Sequence, residues 1–268
     1  MTHDPTDDHP TLEQLRAVAQ PPEHIARYNA EHWAGALYIR HLSIYATRAL
    51  LPTRISPNGV TWLMILVGVL GAFAIPFGGV IGPLVAAVAM QVQILLDCSD
   101  GEVARWRQRF SPAGIYLDRI GHYVTEAAIP IAIGLRADGW SLGRPSDVGG
   151  FTVLGLLVAV VVLLNKAFTD LVVVARAKTG RPMLEDVAQV TASKVSGIAA
   201  VRRALGHLPF FRAFVAVEAS LLALLAAVVD VAHGDLLGTQ VLVVVMLPLA
   251  LVTAAGHLLG VLTSSRLD

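Results

Sequence analysis

The sequence predicts an all-α integral membrane protein with six transmembrane helices, preceded by an amphipathic helix beside the membrane. Three observations lead to this fold class. The chain of 268 residues is 55% hydrophobic and only 15% charged, whereas about 25% of the residues in an average soluble domain are charged. Long segments such as residues 55–96 contain no Asp, Glu, Lys or Arg, and about 20 apolar residues suffice to cross a bilayer. The Lys and Arg residues also fall almost entirely on one side of the predicted membrane.

The apolar runs give the approximate positions of the six spans. They are residues 59–78, 80–105, 114–136, 148–172, 210–230 and 237–262. If the amino terminus is inside, all but two of the 20 Lys and Arg residues lie on the cytoplasmic side, and the exceptions are Arg136 and Arg144. This is the distribution that the positive-inside rule requires. We therefore expect a multi-pass protein of the cell membrane with both termini in the cytoplasm.

The segment before the first span divides into two parts. Residues 1–20 are predicted to be a disordered tail without a signal peptide, because they begin with a polar and acidic sequence. Residues 21–57 are predicted to be a cytoplasmic juxtamembrane segment. Its apolar side chains recur at helical spacing at Leu42, Tyr45, Ala49 and, on the flank, Leu50. This pattern favours a helix along the inner membrane surface, ending near Pro52, over an ordinary solvated cap.

Residues 58–268 are expected to form one six-helix membrane domain, and four of its polar residues are predicted to converge. Asp97 and Asp100 share a face at the cytoplasmic end of the second span, and Asp118 and His122 share a face at the start of the third. The short connection between these spans keeps the two faces close. Oxygen ligands of this kind suit Mg²⁺ or Mn²⁺. A buried ion network that only joins two helices is the structural alternative.

Three further residues point to a phosphate-bearing substrate. Gly101 and Gly114 would allow close backbone approach to a ligand, and Arg105 offers a fork of donors suited to phosphate. Together with a divalent cation, they indicate a diphosphate substrate and phosphoryl-group transfer. The chain has a single cysteine, Cys98, which excludes an intramolecular disulfide and has no partner at metal-ligand spacing.

The same segment resembles the signature of the CDP-alcohol phosphotransferase (CDP-alcohol phosphatidyltransferase) family. The sequence DCSDGEVARWRQRFSPAGIYLD has the pattern D-x-x-D-G-x-x-A-R-x8-G-x-x-x-D, and SPNGVT resembles the P-N-x-x-T motif before the first span. The resemblance implies that a CDP-linked donor, often CDP-diacylglycerol, transfers its phosphate-bearing group to an alcohol with release of CMP. It also implies membrane lipids as partners, no nucleic acid, and a homodimer.

Site residues are implied position by position. Asp97, Asp100 and Asp118 would ligate the metal, Mg²⁺ or Mn²⁺. The cytidine-diphosphate pocket would be lined by residues from both motifs, namely Asn58, Thr61, Gly101, Ala104, Arg105 and Gly114.

One position departs from the family pattern. The last aspartate of the signature, a metal ligand and the supposed general base, is His122 in this chain. His122 could itself be the base, because imidazole titrates near neutrality. Glu126, one turn further along the helix, could instead supply the missing carboxylate, or the chain could have lost transferase chemistry.

The acceptor site is less clearly marked. Lys166 and Arg181 are candidate contacts for an acceptor's phosphate, although positive-inside topology also explains such residues. An intramembrane prenyltransferase would need a second aspartate-rich loop, which the sequence lacks. A transporter or binding protein would be expected to show acids or broken helices in two corresponding halves, whereas here the acids concentrate in one hairpin. A catalytically silent homologue is the remaining alternative.

Overall fold

The computed structural model describes residues 4–21, 34–140, 148–182 and 213–267, and within these ranges it contains helices and no β-strand. The helices of eight residues or more are α1 (Leu12–Ala19), α2 (Arg40–Leu50), α3 (Pro57–Ala74), α4 (Ile81–Trp106), α5 (Pro112–Ala137), α6 (Gly150–Lys178), α7 (Ala216–His233) and α8 (Leu237–Thr263). A π-helical turn, Gly35–Ile39, leads into α2, and a 3₁₀ turn, Leu51–Thr53, follows it. Residues 22–33, residue 144 and the predicted start of the fifth span, residues 210–212, lie outside the described residues.

Among the described residues, five helices are long and apolar enough to cross a membrane: α3, α4, α6, α7 and α8. The predicted third span, α5, has 26 residues, which corresponds to about 39 Å at about 1.5 Å per residue. That length exceeds the hydrocarbon core of a bilayer, about 30 Å. The charged residues of α5 (Asp118, Arg119, Glu126 and Arg136) are spread along the helix, whereas those of α4 lie near its carboxyl end. The prediction of an all-α, multi-pass membrane protein is confirmed.

The chain divides into two compact units. The first unit comprises Met1–Leu70 and Val88–Val124, and the second comprises Gly71–Ala87 and Thr125–Asp268. Close helix approach in the first unit depends on Gly121 of α5. A Cβ atom there would lie 2.8 Å from Cγ1 of Ile65 and even closer to Met64, both on α3.

A helix lies within the tail that the sequence predicts to be disordered, so that prediction does not hold for residues 12–19. The backbone N–H of Gln14 donates to the Thr11 hydroxyl, and the Gln14 side chain accepts from the Thr11 backbone N–H. This capping box satisfies two N–H groups that the start of a helix leaves without partners. Leu15 and Ala19 are completely buried, so tertiary packing orders a segment whose polar composition suggested disorder.

Helix α2 ends where the sequence predicts, just before the 3₁₀ turn that contains Pro52. The side of the helix that packs on the protein carries Ser43, Ile44 and Thr47, all buried. Leu42 and Tyr45, from the predicted apolar face, remain 50% and 53% exposed. An exposed apolar face on a short helix before the first span is the feature expected of a helix that lies on a membrane.

In the second unit, α8 packs against α6 and α7, and glycines bring α5 and α6 together. Gly155 of α6 lies against the backbone carbonyl of Pro130, which is inside α5, and Gly134 of α5 lies against the carbonyl of Phe151. No side chain larger than hydrogen fits at either contact. Small residues at helix crossings are the common means of close packing in membranes.

A buried ion pair also stabilises this unit. Arg136 Nη2 lies 3.2 Å from Asp230 Oδ2, and both side chains are at most 5% exposed. Arg136 Nε donates to the Thr239 hydroxyl at 3.1 Å, and the backbone N–H of Thr239 donates to Asp230 at 2.9 Å. A buried charge is tolerated when it is both paired and hydrogen-bonded, as these two charges are.

Candidate functional site

One cavity in the first unit brings together all the residues predicted to bind the nucleotide. Its volume is about 430 Å³, within the range of typical ligand pockets. The predicted nucleotide-binding residues that line it are Asn58, Thr61, Gly101, Ala104, Arg105 and Gly114, and Asp100 and Asp118 line it as well. These residues come from the start of α3, the end of α4 and the start of α5.

The beginning of α5 shapes one wall of the cavity. Ser111 precedes Pro112, the first residue of the helix, and its hydroxyl accepts from the Gly114 backbone N–H at 3.0 Å. The Asn58 amide lies 3.5 Å from the same hydroxyl. A Cβ atom on Gly114 would lie 2.9 Å from Asn58 Oδ1. Gly114 is therefore required for the close approach of Asn58 to the helix start.

Asp100 and Thr61 form a second pair inside the cavity. The Thr61 hydroxyl donates to Asp100 Oδ2 at 2.7 Å. Thr61 is almost completely buried, at 3% exposed, so the hydrogen bond fixes the carboxylate with little competition from water. The two motifs found in the sequence, one before the first span and one at the end of the second, thus meet at this contact.

Arg105 is held from outside the cavity. Its Nε donates to the backbone carbonyl of Ala19, the last residue of α1, at 2.6 Å. Its terminal nitrogens lie beside Gly101, where an added Cβ atom would be 3.2 Å from Nη1. One donor of the guanidinium is thereby used by the protein, while Arg105 also lines the cavity.

Asp97, Asp118 and His122 form a group that fits a cation. His122 Nε2 lies 3.1 Å from Asp97 Oδ1 and 3.5 Å from Asp118 Oδ1. One ligand atom from each of the three residues can be chosen so that all lie within 4.8 Å of one another. Two carboxylates and an imidazole form a donor set suited to Mg²⁺ or Mn²⁺. In the part of the chain that the structure describes, Asp100 is not a member of this group.

The remaining predicted residues lie in the second unit. Glu126 Oε1 forms an ion pair with Lys166 Nζ at 2.9 Å, so the predicted alternative base and a predicted acceptor contact pair with each other. Arg181 lies beyond the end of α6, where Nη1 donates to the Leu267 carbonyl. Lys166 is 12 residues before the last residue of α6, Lys178, or about 18 Å along the helix axis. The structure therefore does not bring Lys166 and Arg181 together.

Two features of the first unit were missed in the sequence. Glu102 is completely buried and accepts hydrogen bonds from Gln20, Ser43 and Thr47. A carboxylate within an apolar helix is itself a signal of a specific partner, and Glu102 lies inside the signature. Helix α1 was also missed, although Thr11 and Gln14 have the spacing of a capping box.

Comparisons with known proteins agree with this geometry. A profile of the CDP-alcohol phosphatidyltransferase family matches residues 54–263, a range that includes the cavity, the group of Asp97, Asp118 and His122, and all five of the apolar helices named above. No curated protein matches the chain, so no individual relative supplies a substrate. The family's chemistry is transfer of a phosphate group from a CDP-alcohol to an acceptor. With most of its length matched, the chain belongs to the CDP-alcohol phosphatidyltransferase family.

Proposed function

We propose that this membrane transferase moves a substituted phosphate group from a CDP-linked lipid resembling CDP-diacylglycerol to the hydroxyl of an alcohol. CMP is the second product, and the reaction belongs to phospholipid or polar-lipid biosynthesis. The observation that carries the proposal is the cavity of about 430 Å³, to which all six predicted nucleotide-binding residues contribute. Convergence of two separate sequence motifs on one cavity is what a shared ligand would require.

The cavity rim supports a lipid-linked donor. Phe110 and Ile115 line the cavity and are 73% and 69% exposed, and Tyr116 beside them is 66% exposed. Large apolar side chains exposed beside a polar cavity fit a ligand that has a charged head and hydrocarbon tails. Within the cavity, Arg105 would contact the diphosphate, while Gly101 and Gly114 would allow it to approach the backbone.

We propose that the cation is Mg²⁺ or Mn²⁺, held by Asp97 and Asp118 with Asp100 as the third predicted carboxylate. A bound divalent cation would supply charge neutralisation at the diphosphate and polarisation of its phosphoryl oxygens. The grouping of Asp97, Asp118 and His122 within 4.8 Å supports a site at this position.

His122 is the proposed proton acceptor, and its contact with Asp97 suggests which ring nitrogen would accept the proton. In the proposed neutral form, Nε2 would carry the proton and donate it to Asp97 Oδ1, 3.1 Å away, because a carboxylate accepts hydrogen bonds. The lone pair of the neutral ring then lies on Nδ1, and a carboxylate orients the imidazole as in other acid–base pairs. In the reaction, the acceptor oxygen bonds to the phosphorus that carries the lipid, and that phosphorus separates from the oxygen of CMP. The hydroxyl proton passes to Nδ1.

Glu126 is the second candidate for the proton acceptor. Its carboxylate is already paired with Lys166, so accepting a proton would first disrupt an ion pair between two mostly buried groups. Lys166 and Arg181 remain alternative proposed contacts for a polar group of the acceptor, since the structure does not bring them together. The pairing with Glu126 compensates the charge of Lys166. Lys166 would then act mainly as a hydrogen-bond donor, which favours an acceptor rich in hydroxyl groups.

The reaction and its rivals can be separated with purified protein. The full-length chain in detergent would be supplied with CDP-diacylglycerol, Mg²⁺ or Mn²⁺, and glycerol phosphate, inositol phosphate or serine, while CMP release is measured. We expect CMP release that depends on one acceptor and is lost in Asp100→Asn but retained in the exposed-site control Glu13→Gln. CDP binding without CMP release would instead identify a silent homologue. Absence of both would favour a transporter or another binding protein. Lipid analysis of a deletion strain would then identify the missing product.

The proposed location is the plasma membrane, with both termini and the active site in the cytoplasm. The distribution of Lys and Arg supports this orientation. Reporter fusions at Gly78 and Gly234 should report the external side, and a fusion at Gly180 should report the cytoplasm. Homodimer formation is proposed from the family resemblance, and light scattering of the purified protein would measure it.

A further inference from the structure

The N-terminal cap, residues 4–21, contacts the same end of α4 that carries the nucleotide-binding residues. Helix α1 in this cap has only eight residues, and helices this short are marginal in water without tertiary contacts. Leu15 and Ala19 supply such contacts, because they are buried in a cluster with Val103 and Trp106 of α4. The cap is therefore ordered by the surface that it covers.

Polar contacts fix the register of the cap on α4. The Trp106 indole N–H donates to the carbonyl of Asp7 at 2.9 Å. The Gln20 amide donates to Glu102 Oε1 at 2.8 Å. Hydrogen bonds have defined directions, so these two contacts at opposite ends of the cap allow one position of α1 and exclude neighbouring ones.

Glu102 joins the cap, α2 and α4. Its carboxylate is completely buried and accepts from the Ser43 hydroxyl at 2.5 Å and the Thr47 hydroxyl at 2.6 Å, besides Gln20. The Arg40 guanidinium lies 4.0 Å away. A buried carboxylate is expensive unless it is fully hydrogen-bonded, and removing it would take one acceptor from each of these three donors. Gln20 and Ser43 would still reach the Arg40 carbonyl, to which both also donate.

The cap ends at a residue of the donor site. The carbonyl of Ala19 accepts from Arg105 Nε at 2.6 Å, and it lies at the carboxyl end of α1, where the helix dipole favours a cation. Arginine loses substantial side-chain freedom when it binds a ligand. A guanidinium already held by the protein loses less, and it presents its two terminal nitrogens in a fixed orientation.

We propose that the N-terminal cap supports the donor site from outside it: the carbonyl of Ala19 positions the Arg105 guanidinium for the diphosphate, and Glu102 is the positioning residue that holds the cap on α4. The assignment of Arg105 to the diphosphate rests on the proposed function. The cap touches Arg105 through a backbone carbonyl, so its contribution concerns the orientation of a charged side chain and leaves recognition of the cytosine ring to other residues.

The test measures the binding of CDP and of cytidine to the full-length protein in detergent. Cytidine lacks the diphosphate, so it reports general damage to the pocket, whereas CDP also reports Arg105. Gln20→Ala and Leu15→Ala loosen the cap while leaving the cavity lining unchanged. We expect each to weaken CDP binding by roughly 3- to 10-fold, the cost of ordering one long side chain, with cytidine binding unchanged. Glu13→Gln on the exposed side of α1 should change neither.

The same cap variants in an Arg105→Ala background test whether the effect passes through Arg105. We expect no additional loss of CDP binding there, because coupled residues are non-additive. Glu102→Gln should retain more CDP affinity than Glu102→Ala, since the amide oxygen still accepts hydrogen bonds. The proposal is overturned if the cap variants bind CDP normally, if they weaken cytidine equally, or if their effect persists without Arg105. If the unchanged protein bound no CDP, the proposed function itself would fail.

Discussion

In the first unit, Asp97 and Asp118 both approach one nitrogen of His122, whereas in the second unit Arg136 and Asp230 approach each other. The first arrangement places two acids beside a ring that can carry at most one positive charge. The second places one cation beside one anion, with hydrogen bonds from Thr239 completing the shell of Asp230.

The two arrangements differ in whether the charges compensate each other within the apolar surroundings. A buried ion pair with saturated hydrogen bonds is self-sufficient, and its loss is expected to affect stability. Carboxylates that share an imidazole still favour an additional positive charge, which a divalent cation would provide. Substitutions in the two regions should therefore produce opposite effects on function and stability.

The largest effect is expected for Asp118→Asn. Removing this charge should abolish detectable Mn²⁺ binding and lower turnover below detection, because loss of the cation adds to the about 10²–10³-fold cost of one preorganised electrostatic contact in an active site. The melting temperature in detergent should stay within a few degrees of the unchanged protein. Electron paramagnetic resonance of free Mn²⁺ measures binding, and Asp235→Asn, an exposed carboxylate of the second unit, is the matched control. Normal Mn²⁺ affinity in Asp118→Asn would remove this residue from the cation site.

The second effect concerns the imidazole. His122→Ala should lower turnover by about 10²–10⁴-fold, the typical contribution of a positioned acid–base group, with CDP affinity nearly unchanged. Steady-state kinetics combined with CDP binding separates these quantities, and Glu126→Gln is the comparison. If Glu126→Gln were inactive while His122→Ala turned over normally, Glu126 would be the proton acceptor. Nitrogen coupling from His122 to bound Mn²⁺ in pulsed resonance spectra would make the imidazole a ligand instead.

For the third effect, in the second unit, we expect the opposite pattern: a loss of stability with little change in turnover. Arg136→Met should destabilise the protein by about 3–5 kcal/mol, because Asp230 would then be a buried and uncompensated charge. Turnover per folded molecule should remain close to normal. Adding Asp230→Asn should recover much of the stability, since the charge disappears while an acceptor for Thr239 is retained. Denaturant titration in micelles measures the free energy of unfolding, and an additive double variant would contradict the interpretation.

The smallest effect is expected at Asp138, which follows α5 and caps the start of α6. Burial would raise the pKa of Asp138, but hydrogen bonds from the Thr152 hydroxyl and the backbone N–H groups of Thr152, Phe151 and Gly149 outweigh it and hold the pKa below its usual range. A lowered folded-state pKa means that this stabilisation is complete above the unfolded value, about 3.9, and is lost as the pH falls through the folded value.

Asp138→Asn should therefore cost about 1 kcal/mol near neutral pH, the usual value of a helix cap. The difference from the unchanged protein should shrink below about pH 4, because the protonated Asp138 has also lost its charge. Melting temperatures at several pH values in detergent provide the measurement. A difference that stays constant from neutral to acid pH would show that the charge of Asp138 contributes nothing.

Much of the fold followed from the sequence because the apolar runs are long and unambiguous. Helix α8 was predicted at residues 237–262 and observed at Leu237–Thr263, whereas α6 was predicted to end at residue 172 and continues to Lys178. Lys166, Asp170 and Arg176 interrupt the apolar sequence but do not end the helix, since charged residues are tolerated in a helix interior. Hydropathy therefore predicts the apolar part of α6, whereas the helix itself ends further along the chain, at Lys178.

The candidate site was predictable in part for a related reason. Its nucleotide-binding residues occur in two compact motifs, and the resemblance of both motifs to one family predicted that they share a pocket. The hydrogen bond between Ala19 and Arg105 joins residues 86 positions apart, and it uses a backbone carbonyl, which carries no sequence signal. The ion pair between Glu126 and Lys166 likewise depends on how two helices cross. Contacts of this kind require coordinates.

Pro130 has a mechanical consequence for α5. Proline has no backbone N–H, so the helix lacks one internal hydrogen bond within Pro112–Ala137. Bending there disrupts fewer hydrogen bonds than bending elsewhere along the helix, and prolines are the usual sites of such bends. Gly155 of α6 contacts the carbonyl of this same residue, where a side chain would not fit. The helix that carries both candidate proton acceptors is therefore most compliant one turn beyond Glu126.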